Sequence, residues 1–401
     1  MKSVSLPIFS EVKAAAEKPQ GWPLLRLGFR PFYIGGSLVA ALAVPLWVAT
    51  FLGGVQVNLA VPALLWHAHE MLFGFAIAII IGFLLTAGKN WTGLATPRGP
   101  ALGALALLWL AARVAALTGP SLLYAWLDVA LLPLMAGLFA RLLWRAKSYR
   151  NLPLALILAL LALANGVFHL AVLGALDVSA MAPLHAALGL IIMIECVIAG
   201  RVVPAFTMSA IPGLRIQSTV KLERLTLALT AVGLLLWLFV PGNVWGLGLL
   251  LAASGLHFRR AWGWRPWLTR HKPILWVLHL AYLWIPLGLL LLGLAQMGWL
   301  PVSAGVHALA VGATGGLIIG MVTRTARGHT GRPLVVSGLE VTAYVLVAGA
   351  AVLRVWVPLI LPVFYSTTLM WAAGAWSVAF LIYLWLYIPW LMRTRLDGKD
   401  G

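Results

Sequence analysis

The chain is a succession of apolar stretches, each about as long as a bilayer is thick, joined by short connections. In lipid every backbone N–H and C=O must be satisfied within the protein, so continuous apolar stretches of this length fold as membrane-crossing α-helices. They cover residues 31–53, 63–87, 100–118, 121–144, 151–174, 180–200, 222–240, 243–258, 274–295, 302–323, 334–355 and 363–391. Of 401 residues 62% are hydrophobic and 9% charged, which is more apolar surface than a soluble core buries. The expected fold class is all-α: a polytopic integral membrane protein with about twelve transmembrane helices. Residues 1–30 form an N-terminal tail, 31–391 a single twelve-span membrane domain, and 392–401 a C-terminal tail. The largest loop, roughly 201–221, is too small to be a soluble domain.

The formal charge of +18 would suggest a nucleic-acid partner in a soluble chain. Its distribution argues otherwise. All 28 basic residues except Arg113 and Arg354 fall in the tails and in the connections on one side. The opposite connections 54–62, 119–120, 241–242 and 296–301 have no Lys or Arg. This is the positive-inside pattern, so both termini are expected in the cytoplasm, in a multi-pass protein of the cytoplasmic membrane, with lipid and not nucleic acid as partner. The first thirty residues are broken by Pro7, Pro19 and Pro23 and lack an apolar core, so no cleavable signal peptide is expected and the first span serves for targeting. The single cysteine, Cys196, permits no internal disulfide, and without a Cys-x-x-Cys-His motif any haem must be held non-covalently.

Against this apolar background Trp66-His67-Ala68-His69-Glu70-Met71-Leu72-Phe73-Gly74-Phe75 stands out, with three ionisable side chains in four residues. A charged group at a helix centre costs about 3 kcal/mol on insertion scales, so such a cluster faces a bundle interior and has a partner or a ligand. Of the nine histidines, His67, His69, His169, His185 and His307 fall within about two turns of the outer ends of their spans. Imidazole is the usual ligand of haem iron and suits copper, iron or zinc. At about 100° per residue, His67 and His69 point roughly 200° apart, so they do not share one metal, whereas His67 and Glu70 could.

A faint parallel repeat suggests an assignment. With an offset of 238 residues His69 aligns with His307, Gly74 with Gly312, Ile80-Ile81-Gly82 with Ile318-Ile319-Gly320, and Thr92-Gly93 with Thr330-Gly331. His69 and His307 are accordingly expected as opposite axial ligands of one haem, with His67, His169 and His185 around a second metal. Arg113 and Arg354, in the same outer layer, are expected to meet haem propionates, Asp128 or Glu70. Glu70 and Glu195 are the candidate catalytic acids, and Glu340 is a further candidate for a proton route. His279, His329 and Arg201 are inner-face candidates, His329 within Gly328-His329-Thr330-Gly331-Arg332-Pro333. His257 and His271, next to arginines, read as ordinary interfacial residues.

Five segments resemble the signatures of the NnrS family of haem- and copper-containing membrane proteins. They are Leu27-Gly28-Phe29-Arg30-Pro31-Phe32; the Trp66–Phe75 motif; Gly82-Phe83-Leu84-Leu85-Thr86 with Asn90-Trp91-Thr92-Gly93; Gly200-Arg201-Val202-Val203-Pro204-Ala205-Phe206-Thr207; and Gly328–Pro333. The resemblance implies twelve spans, haem b, copper, and protection against nitric oxide, with a separate electron donor if the gas is reduced by an oxidoreductase activity. Haem–copper oxidases also place haem ligands on their second and tenth spans, but this chain lacks their His-Pro-Glu-Val segment and adjacent His-His pair. Two other readings fit a twelve-span chain. A secondary transporter would carry a mid-membrane site at broken helices, for which Pro45, Pro204 and Pro286 give no corresponding pair. A haem-based sensor or assembly factor would hold the cofactor without turnover.

Overall fold

The computed structural model describes residues 21–217 and 219–399, so Lys2, Lys13 and Lys18 of the expected tail lie outside the described residues. The long helices are α1 (Phe29–Phe51), α2 (Ala63–Thr92), α3 (Pro100–Thr118), α4 (Ser121–Arg145), α5 (Tyr149–Val172), α6 (Met181–Ala210), α7 (Val220–Phe239), α8 (Val244–Gly263), α9 (Pro273–Gln296), α10 (Val302–His329), α11 (Gly338–Ile360) and α12 (Pro362–Leu391). No strand occurs among the described residues. Eleven of the twelve are long and apolar enough to cross a membrane. The other, α8, ends in His257, Arg259 and Arg260 and packs against α7 and α9. The protein is an all-helical polytopic membrane protein.

Burial separates inner from outer helices. The most apolar window of α2 is 89% buried within the protein, those of α9 and α10 are 72% buried and that of α6 56%, against 28–44% for the other spans. Outer helices show half or more of their surface to lipid, where a polar side chain has no partner. Polar groups can therefore cluster only where the inner helices meet their neighbours. Helix α6 touches both α2 and α10, while α1 packs against α2 and α12, and α11 against α10 and α12.

The repeat is visible in backbone geometry. Helix α2 widens into a π-helix over Glu70–Ala76, and α10 does so over Ala308–Gly315. Each π segment begins one residue after an aligned histidine, His69 or His307. A π segment inside an α-helix leaves main-chain groups less regularly paired and recurs at functional sites. Close packing is also repeated: a Cβ on Gly82 would stand 3.1 Å from the Phe29 backbone of α1, and one on Gly320 2.7 Å from the Leu278 side chain of α9. Beyond the aligned helices, Arg354 and Tyr365 stand 241 residues after Arg113 and Tyr124. In both pairs the guanidinium lies over the phenol ring, at 5.6 Å and 5.8 Å from its centroid.

Candidate functional site

The two histidines of α2 face opposite sides, as their angular separation requires. His69 is fully buried among α3, α4 and α5. Its Nε2 lies 2.8 Å from Asn165 Oδ1 and its Nδ1 2.7 Å from the Tyr124 hydroxyl. Asp128 Oδ2 accepts from Asn165 Nδ2 at 2.7 Å and lies 3.0 Å from His169 Nε2. Arg113 reaches across both carboxylates, donating to Glu70 Oε1 at 2.7 Å and to Asp128. Asn165 and His169 come from one face of α5, since they are four residues apart.

Charge accounting shows what this cluster can hold. One guanidinium faces two carboxylates, so with neutral imidazoles and ionised acids a net negative charge remains in a dry interior. Buried uncompensated charge is costly, which favours either a proton on an imidazole or a bound cation. His69, Asp128 and His169 each offer a ligand atom, all within 4.8 Å of one another, and the group could hold a metal ion. Two imidazoles and a carboxylate suit copper, iron or zinc.

The other face of α2 borders a cavity of about 380 Å³ among α1, α2, α6, α10, α11 and α12. His67, His185, His307 and Arg354 reach its wall, with Trp47, Phe75 and Trp376 as aromatic surfaces. The His67 ring stacks on Trp47 at 4.0 Å and 17°, and its Nδ1 is buried without a hydrogen-bond partner among the described residues. His307 Nδ1 lies 2.7 Å from the Ser303 carbonyl oxygen, which accepts its proton and leaves Nε2 as the lone-pair nitrogen. The His185 ring lies 4.9 Å from Trp237. Among the described residues no carboxylate pairs with Arg354; it rests on Tyr365.

This arrangement differs from the pairing expected from sequence. His69 does not border the cavity that His307 lines; His67 does. The repeat itself explains the difference. His69 turns toward the Arg113–Tyr124 pair of its own unit, and His307 has Arg354 as a charged neighbour in the equivalent unit. Equivalent histidines thus occupy equivalent places in two separate units. His169 likewise joins His69 instead of His67 and His185, and Glu70 pairs with Arg113 instead of sharing a ligand with His67.

The remaining candidates stand apart. Glu195 borders a separate cavity of about 70 Å³. His279 Nε2 lies 3.0 Å from Thr207, the His329 ring lies 5.4 Å from that of Phe29, and Arg201 donates to Asn151 at 2.6 Å. These three do not form one site. His271 is exposed beside Arg270, as expected of an interfacial residue. His257 is not: it is fully buried, 2.6 Å from the Tyr282 hydroxyl and 2.9 Å from Thr230, and Arg260 bridges Tyr282 to Glu223. Its neighbouring arginine turns inward to an acid of α7, a tertiary pairing that local charge does not reveal. Tyr124 and Asn165 were also missed; the i, i+4 spacing of Asn165 and His169 was the available signal.

A comparison with curated proteins gives no match. The NnrS protein family model matches residues 23–395, nearly the whole chain. The chain belongs to the NnrS family.

Proposed function

We propose that this membrane protein holds haem b non-covalently in the large cavity and copper at the His69–Asp128–His169 group, and that it binds nitric oxide near the face opposite the basic connections, to scavenge or reduce it. One observation carries the reading: three imidazoles and an arginine without a carboxylate partner converge on one aromatic-walled cavity.

The residues fit such a group. The orphaned Nδ1 of His67 is a buried polar atom in need of a partner. His307 is oriented by a backbone carbonyl in the way that metal-binding imidazoles are. Arg354 supplies the positive charge that the carboxylates of a haem require. His67 and His307 would hold the haem iron, and His185 is the third imidazole on the same wall. A haem held there would supply an iron centre that binds the gas.

The chain's own contribution is containment. The apolar walls admit a small neutral gas and hold water back, and Trp47 fixes the plane of His67. Glu70, engaged by Arg113, accepts from the Tyr124 hydroxyl that in turn bonds His69. With the basic face in the cytoplasm the cavity lies toward the outside, and reduction would draw on a separate electron donor. Protein purified from haem-replete cells should show a Soret band and contain copper, and nitric oxide should shift the band of the reduced form. A folded, colourless, metal-free preparation overturns the reading.

A further inference from the structure

We propose that Glu195 is the inner end of a proton route that enters at the basic face and delivers to the large cavity. The destination rests on the reading of that cavity as the cofactor site; the route itself does not.

Glu195 stands 15 residues from the basic-face end of α6, about 22 Å deep at 1.5 Å per residue. It borders the cavity of about 70 Å³, room for about two waters at roughly 30 Å³ each. Its Oε2 is buried and, among the described residues, has no partner at ordinary hydrogen-bond geometry. Beside it is Thr314, on the π segment of α10, and Thr314 also lines the large cavity. The carboxyl therefore lies at the boundary between the two cavities. Among the described residues no basic side chain lines the small cavity, so the form that the site accommodates is the neutral acid, which holds a proton to give.

Toward the basic face the small cavity ends at Tyr33 of α1, whose hydroxyl accepts from Thr325 at 3.1 Å. Tyr383 and Tyr344 are electrostatic neighbours there. Among the described residues their hydroxyls, like Glu195 Oε2 and the Thr314 hydroxyl, are buried without a hydrogen bond of ordinary geometry. Buried polar groups are rarely unsatisfied, so four on one path call for ordered water between them. The Tyr383 ring stacks on Tyr387 at 4.5 Å, and Tyr387 donates to Glu340. Glu340 caps α11 through Ser337 and pairs with Arg327 at the basic face. The step is a proton transfer alone: Glu195 gives its proton to an acceptor in the large cavity and takes another from water along the hydroxyls.

The test uses the full chain in liposomes of neutral lipid, with infrared spectra recorded as H₂O is exchanged for D₂O. A carbonyl stretch of a protonated carboxyl should be present, disappear in Glu195→Gln, and shift on deuteration. Tyr33→Phe combined with Tyr383→Phe should slow that shift at least tenfold, and Thr325→Val, a milder change to the same path, should slow it as well. Absence of a Glu195-specific band overturns the proposal, as does unchanged exchange in the path variants. No haem is needed, so a haem-free preparation would count against the cofactor reading and leave this one standing.

Discussion

His67 and His69, two residues apart on α2, serve different places: His67 stacks on Trp47 at the wall of the large cavity, and His69 bonds Tyr124 and Asn165 in the α2–α5 cluster. One inner helix thus forms the partition between two polar sites. Both sites can exist in an apolar bundle because α2 is enclosed by protein nearly all round.

The partition predicts how haem responds to substitution. His67→Ala and His307→Ala should each remove most of the bound haem or its low-spin spectrum, because Trp47 and Phe75 offer no replacement ligand and the His185 ring is held against Trp237 on its own side of the cavity. His69→Ala should retain it. Haem per protein, measured as the pyridine complex, checks this. Retention in His67→Ala together with loss in His69→Ala restores the pairing of His69 with His307.

Copper should follow the other face. His169→Ala removes one of three ligand atoms lying within 4.8 Å, while the large cavity keeps its full lining. Copper by elemental analysis should fall to background with haem unchanged. If wild-type protein reconstituted with copper retains none after dialysis, the cluster is a closed hydrogen-bond network and its surplus charge is met by a proton.

Much of this architecture is legible in the sequence. Apolar length located the helices, and the 238-residue offset matched two helices that share a π segment at the same place. Rotation of a helix about its axis was not legible. Alignment placed His69 and His307 at one depth, but which neighbour each faces depends on the packing of α2 and α10. The pairing of Arg113 with Asp128 or Glu70 was legible from their shared outer layer, whereas its reach to both carboxylates at once depends on the approach of α3 to α4. His257 was misread because its partners Tyr282 and Glu223 belong to other helices.

Close helix packing gives a stability prediction free of any cofactor. A Cβ on Gly82 would meet the Phe29 Cα at 3.1 Å and the Phe32 Cβ at 3.0 Å, and backbone cannot yield cheaply. Gly82→Ala should destabilise by about 1–3 kcal/mol through overpacking. Gly137→Ala meets nothing within 4 Å and should be neutral or stabilise by up to about 1 kcal/mol from helix propensity. Thermal unfolding in detergent compares the two; equal effects would mean that α1 and α2 are not in close contact.

The two repeat-related arginines should respond in opposite ways. Arg113 neutralises Glu70 and Asp128 in a buried site, so Arg113→Met strands two carboxylates and should cost about 3–5 kcal/mol. Among the described residues Arg354 has no carboxylate and rests on Tyr365, a ring contact worth about 0.5–2 kcal/mol, and its own desolvation opposes that gain. Arg354→Met should therefore change the stability of the haem-free protein little and at the same time weaken haem retention, since the cavity loses the guanidinium on its wall. Unfolding temperature and haem remaining after prolonged dialysis separate the effects. Loss of stability in Arg354→Met with haem retained at the wild-type level would show that the arginine supports the fold and does not anchor a ligand.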